Sequence, residues 1–383
     1  MRKFCLRVLC LSLSLMMVKS DGAAQHARVG RTINELMKKY DAVGLSVAVV
    51  KNNGIAYSHA FGYKNAETKK KLRPKDIFRI ASISKSFSAT AMMRLIEAGK
   101  ISLDDDFSDL IGFPIRNPKY PDKKITLRMI LSHTSSINDS EGYFNLDVIN
   151  PATNPDYGKC YSDYAPGEGY RYCNLNFNMA GTVIERLSGE RFDQYISHHI
   201  LKPLDLYGGY CIDSLNANLF AAIYEYDSAS KTFIESVDAY NPRREEIRNY
   251  RMGYSTPVFS PTGGMKISAK DLAQYMQMHM NKGELSGVRI IGKNSAEEMQ
   301  TPVAVKEGYG LALLSTDKFI DGKRLIGHTG SAYGLSSAMF FDPEKKYGMV
   351  LITNGCNAPY INGWNPFLKE VADVLYRAYL TEQ

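Results

Sequence analysis

The chain carries no glycine-rich phosphate-binding loop, no internal repeat and no low-complexity tract. Nothing in it suggests a nucleotide cradle, a solenoid or a disordered tail. No Cys or His spacing suits zinc, and no cofactor or metal is expected. The pair His198-His199 has no carboxylate pattern beside it and is expected on a helix surface. Long apolar runs are lacking, apart from one at the N-terminus that is short for a membrane span. A large charge excess is also missing. Arg2, Lys3, Arg7 and Lys19 against Asp21 place +3 of the formal +7 in the first 24 residues. The remaining +4 is too weak to point to nucleic acid. The basic run Lys69–Lys75 reads as a solvated loop, with anionic surfaces left open as partners.

What is there begins with a leader. Residues 1–24 have a basic start, an apolar middle and small residues from Ser20 to Ala24. They read as a secretory signal peptide, so a secreted or periplasmic location is expected, with no stable membrane span after cleavage. Cys160, Cys173, Cys211 and Cys356 then remain. An exported chain is able to pair some of them, and Cys160–Cys211 is the expected pair.

Three short motifs follow in order: Ser82-Ile-Ser-Lys85, Tyr172-Cys-Asn174 and His328-Thr-Gly330. Ser-x-x-Lys recurs at Ser228–Lys231 and Ser315–Lys318, but both of those read as polar turns between strand-like runs. Tyr-x-Asn recurs at Tyr63, Tyr143 and Tyr360, so context has to sort the matches. Ser82 opens a helical run whose apolar positions are Ile83, Phe87, Met92, Leu95 and Ile96, ended by Gly99. Lys85 then lies one turn on, on the same face. A lysine in a first turn opposes the helix dipole, and burial would lower its pKa further. Such an amine can take a proton from a nearby hydroxyl. A capping serine beside a solvent-facing lysine is the plain alternative. Tyr172 and Asn174 sit on a loop before a helix, where they either face a cleft or merely pack and cap. His328-Thr-Gly330 lies between strand-like runs, and Gly330 and Gly334 permit close backbone approach. An exposed strand edge there would bind an extended amide or ester.

Taken together, the motifs resemble the serine β-lactamase and penicillin-binding protein superfamily, in its class C-like branch with DD-peptidases and esterases. Supporting segments are Gly44–Val50, Leu131–Ser135, Pro166-Gly167, Pro203-Leu204, Gly263–Met265 and Tyr309–Leu311. The resemblance implies that Ser82 attacks a carbonyl and Lys85 helps to deprotonate it. It implies that Tyr172 is general base in acylation and proton donor to the leaving group, and that Asn174 bonds substrate or Lys85. Backbone N–H groups of Ser82 and Ser331 would form the oxyanion hole. His328, Thr329 and Gly330 would line the site. Lysine in place of His328 would mark dedicated class C β-lactamases; histidine is similar to the DD-peptidases, D-amino-acid peptidases and esterases. Cys173 also departs, standing where the family usually has serine.

The expected fold is α+β: an antiparallel sheet flanked by terminal helices, plus a mainly helical part. One catalytic domain is expected over 25–383, with sheet part 25–80 and 262–383 and helical part 81–261. Helices are expected at Arg31–Tyr40 and Pro366–Leu380, a hairpin at Leu45–Gly62, and later strands at Arg289–Ile291, Leu311–Leu314, Leu325–Gly327, Met339–Phe341 and Met349–Thr353. Tyr143, Phe144, Tyr157, Tyr161, Tyr164 and Tyr170 crowd the stretch before Tyr172, as a structured loop or as rings that favour an apolar substrate. The expected function is an exported serine hydrolase acting on an ester or amide through a Ser82 acyl-enzyme, esterase-like or acyl-transferring, and the expected partner is a small-molecule acyl ester or amide or a D-amino-acid peptide. The alternatives are a D-Ala-D-Ala carboxypeptidase or D-amino-acid peptidase, a weak β-lactamase, or a non-catalytic penicillin-binding or sensor protein.

Overall fold

The computed structural model of the chain describes residues 22–381. The leader expected over 1–24 falls, up to residue 21, outside the described residues. Helix α1 covers 22–39 and so starts well before Arg31. Strands β1 (Gly44–Lys51) and β2 (Gly54–Asn65) form the expected hairpin. Its two turn residues, Asn52 and Asn53, sit at φ 52° and 60°. A two-residue hairpin turn requires that left-handed backbone, and asparagine tolerates it. A two-residue strand β3 (Lys70–Lys71) then edges the sheet with exposed lysines, within the basic run read as a loop.

Helices α2 (Ser84–Glu97) and α3 (Asn174–Ser188) dominate the middle of the chain. Helix α4 (Ala269–Met280) follows, and then strands β4 (Leu314–Ile320), β5 (Lys323–Ala332), β6 (Leu335–Asp342) and β7 (Tyr347–Thr353). Helix α5 (Pro366–Leu375) ends in a π turn over Tyr376–Leu380. Asn365 caps it by accepting the Leu368 N–H at 3.1 Å, with Pro366 in the first turn.

The seven strands form one antiparallel sheet in the order β4-β5-β6-β7-β1-β2-β3. The early hairpin joins the late strands where β1 pairs β7, Leu45 opposite Thr353. On β1, Leu45, Val47 and Val49 face one core layer with Val29, Ile33 and Met37 of α1 and Phe367, Val371 and Leu375 of α5. Ala48 and Val50 face the larger core, shared with α2, α3 and α4. Burial on both faces explains the apolar run Val47–Val50 of β1. Each buried valine or leucine contributes roughly 1.5–3 kcal/mol.

Several expectations need correction. Val288–Arg289 pairs only with Glu284–Leu285, because Ser286 and Gly287 at φ 51° and 86° close a local hairpin apart from the main sheet. The sheet begins at Leu314 and not at Leu311, because Ala312 turns at φ 60° and gives its N–H to Leu131 O. Ser315–Lys318 consequently lies within β4, whereas Ser228–Lys231 is the expected hairpin connection. Helix α4 was not anticipated in the strand-rich stretch after 262; it packs on β1, β6 and β7. The pair Cys160–Cys211 does not form: all four described cysteines are free. The Cys160 thiol is buried and points at Val148 O, 3.3 Å away. His198 and His199 do have a carboxylate at hand, both contacting Glu190 at 3.0 and 2.6 Å.

Candidate active site

The chain enters α2 through a single 3₁₀ turn, Ala81–Ile83, that carries Ser82. Ala81 is left-handed, at φ 47°, a conformation that costs energy for any residue with a Cβ. The surroundings hold it there. Ile80 N donates to Met265 O at 3.0 Å, and Ser337 Oγ donates to Ile80 O at 2.9 Å. Strand β5 crosses so near that a Cβ on Gly330 would stand 2.2 Å from Ile80 O. Gly330 is thus the residue that lets the third motif lie against the first.

Lys85 is fully buried, and its Nζ donates to Ser82 Oγ at 3.1 Å, Asn174 Oδ1 at 2.9 Å and Thr262 O at 3.0 Å. Burial lowers its pKa to about 7, with the Asp139 carboxylate pulling the other way. At neutral pH a large share of the amine is therefore unprotonated. Of its three partners, two are acceptors only. The Asn174 amide is oriented by its Nδ2 donating to Asp139 Oδ2 at 2.9 Å, which leaves Oδ1 to accept from Lys85 and from Thr262 Oγ1, also at 2.9 Å. The two N–H bonds of neutral Lys85 go to Asn174 and Thr262, and the lone pair is left facing the Ser82 hydroxyl.

Tyr172 stands at the rim, 36% exposed, its ring 4.7 Å from Lys85 Nζ. Desolvation of its hydroxyl holds the phenol well above its ordinary pKa, with a hydrogen bond from Ser82 as the largest opposing effect. The loop bearing it is gripped by His133. Arg171 N donates to His133 O at 2.9 Å and Cys173 N to His133 Nδ1 at 3.1 Å, while the imidazole lies 4.3 Å from the Tyr172 ring. Asn174 opens α3 but does not cap it. Asp139 accepts the N–H groups of Asn174 and Leu175 at 2.8 and 2.9 Å, doing a cap's work from a distant loop. Cys173 is buried and its thiol points at Asp139 Oδ1, 3.2 Å away.

His328 is 5% exposed. Its Nδ1–H donates to Thr329 O at 2.5 Å, so Nε2 accepts from the Tyr309 hydroxyl at 3.0 Å. Burial, aided by Lys85, lowers its pKa to about 4, and it is neutral near pH 7. Pairing of β5 with β4 stops at Gly327, which leaves the outer edge of His328, Thr329, Gly330 and Ser331 without a strand neighbour. Of the aromatic stretch, Tyr170 packs beside Tyr309 and His133, and Phe144 is exposed against Tyr143. Tyr161 is buried and Tyr164 fills the space beside Gly169, so these two are structural.

The structure thus gathers Ser82, Lys85, Tyr172, Asn174 and the β5 edge at one place. Four further residues complete it. Tyr309 and His133 lay in segments already noted for their resemblance, although no role was attached to them. Asp139 and Thr262 left no local signal, because only the tertiary fold brings their oxygens to Asn174.

The profile of the Beta-lactamase family matches residues 29–372. Protein flp of Staphylococcus aureus (strain N315) is 23% identical over 350 residues, covering 87% of this chain and 64% of the relative. The chain therefore spans just under two thirds of that relative's length. The octameric penicillin-binding protein homologue from Pyrococcus abyssi superposes with a TM-score of 0.72 at 26% identity, covering 92% of this chain and 77% of that one. The D-amino acid amidase from Ochrobactrum anthropi SV3, solved with L-phenylalanine amide, has a similar fold, with a TM-score of 0.70 at 19% identity over 93% and 97% of the two chains.

Proposed function

The chain belongs to the Beta-lactamase family, and from that premise we propose that it is a serine hydrolase of the DD-peptidase and esterase-like branch, cleaving a small ester or amide through an acyl-enzyme on Ser82. The observation that carries this reading is the fully buried Lys85 amine, its Nζ 3.1 Å from Ser82 Oγ and its pKa lowered by burial to about 7. Ser82 Oγ adds to the substrate carbonyl as its proton passes to Lys85. The carbonyl oxygen, now negative, is held by the N–H groups of Ser82 and Ser331. Tyr172, whose raised pKa keeps it protonated, gives its proton to the departing alkoxide or amine and regains one from Lys85. In the resting enzyme Lys85 rather than a Tyr172 phenolate is thus the base. Water then adds to the acyl-enzyme and releases the acid; a bound amine or alcohol would give transfer instead.

His328 supplies no permanent cation for a β-lactam carboxylate, because it is neutral and committed to Tyr309. Efficient β-lactam hydrolysis is therefore not the preferred reading. The unpaired edge of β5 favours substrates that present an amide backbone, and D-amino-acid amides and peptides form the second substrate class. A secreted or periplasmic site of action rests on the composition of residues 1–24.

Intact mass after a fluorophosphonate or penicillin should show one adduct on the protein and none on Ser82→Ala. An ester dye and a D-Ala-D-Ala peptide, run in parallel, would rank the substrate classes. Turnover should fall by about a thousandfold or more in Ser82→Ala. Turnover that persists in that variant would overturn the mechanism.

A further inference from the structure

A cavity of about 350 Å³ lies beside the site. Arg79, Arg243 and Lys266 line it, together with Phe144, Phe259 and Tyr333. It is separated from the catalytic lysine by one peptide segment: Thr262 O accepts from Lys85, and the next carbonyl, Gly263 O, accepts from Arg79 Nε at 2.8 Å. Its mouth continues the open edge of β5, since Tyr333 follows directly on that strand and stacks 5.0 Å from the Arg79 guanidinium.

The charges in this cavity are unbalanced. Lys266 is 4% exposed, and its hydrogen bond runs to Tyr210 O at 2.6 Å, a carbonyl and not a carboxylate. Arg79 spends its bonds on the Gly263 and Ala239 carbonyls. Among the described residues, no carboxylate lies within ion-pair distance of either. Arg243 has Glu246 at 3.0 Å, and the one acid lining the cavity, Asp238, is exposed. Burying cations without a counter-charge is costly, and folds that need only packing use apolar side chains there.

Resting on the hydrolase reading above, we infer that this cavity binds a carboxylate carried by the substrate, at the end remote from the bond Ser82 cleaves. A substrate laid along 328–332 runs past Ser331 to Tyr333 and delivers its far end to Arg79, Arg243 and Lys266. The aromatic walls suit a short apolar spacer before the charge. Burial, with Arg79 and Arg243 adding repulsion, pushes Lys266 well below its ordinary pKa. A carboxylate bound beside Lys266 opposes that push and favours the ammonium form.

The test compares p-nitrophenyl monoesters of succinate, glutarate and adipate with their methyl-capped, neutral counterparts. At the best chain length the free acid should be cleaved with a kcat/KM about tenfold or more above its capped partner. Arg243→Gln and Lys266→Met should bring that ratio close to one and leave the neutral esters unaffected. Arg243 is half-exposed, so its variant serves if Lys266→Met folds poorly. Equal turnover of acid and capped ester at every length overturns the inference, as does a preference that survives both substitutions. Should no ester be cleaved, the ester half of the hydrolase reading fails on its own, and calorimetry with glutarate still decides the cavity: binding abolished in both variants supports it, and no binding overturns it. Glutarate binding combined with equal ester turnover marks a site for free anions and also overturns the substrate assignment.

Discussion

At the scale of single residues, the proton on Lys85 controls the chemistry of the proposed mechanism. Burial brings its pKa to about 7, and only the neutral amine can accept from Ser82. The acidic limb of kcat/KM against pH should therefore rise through about 7. Asp139 opposes the burial effect by favouring the ammonium form. Replacing it by a neutral isostere favours the free amine, so Asp139→Asn should move that limb to lower pH. The same change weakens the N–H partners at the start of α3 and should cost about 1 kcal/mol, read as a lower Tm. A limb that stays in place would mean that Lys85 is not the group being titrated. The spacing of Ser82 and Lys85 was readable because one helical turn is a local matter. The depressed pKa was expected from burial, but its size depends on Asp139, which lies 54 positions further along the chain and gave no local sign.

At the scale of elements, the site depends on how closely β5 approaches the turn at Ala81–Ile83. A methyl group at 330 would meet Ile80 O at 2.2 Å and the Ala81 Cβ at 3.1 Å, and both are fixed by the bonds that hold the strained turn. Gly330→Ala should push strand and turn apart. We expect a destabilisation of about 1–3 kcal/mol and loss of Ser82 acylation by more than tenfold. Thermal melts and the rate of adduct formation check the two parts. Strands with steady apolar or alternating patterns, such as β1, β6 and β7, were legible in sequence. Helix α4 and the start of β4 were not. The amphipathic α4 follows the loop after the helical part with no change of composition, and residues 311–313 are apolar because they are buried in a loop.

At the scale of the whole molecule, the sheet binds early strands to late ones, so the fold closes without covalent staples. All four described thiols are free, in contrast to the pair expected from an exported chain. Dithiothreitol should leave the Tm unchanged; a fall of several degrees would show that a bridge forms after all. The two core layers on either face of β1 provide the stability a disulfide would otherwise supply. The sequence by itself determined the order of the three motifs, the helical offset of serine and lysine, the glycine that permits close contact, and the antiparallel sheet with terminal helices. Each depends on neighbours a few positions apart or on a period the backbone imposes. Only the tertiary structure decided which oxygen orients Asn174, which imidazole holds the loop of Tyr172, that His328 is buried against Tyr309, and that cations gather in a cavity where Arg79 and Lys266 have no carboxylate partner among the described residues. Those contacts join residues tens to hundreds of positions apart, and no local propensity encodes such meetings.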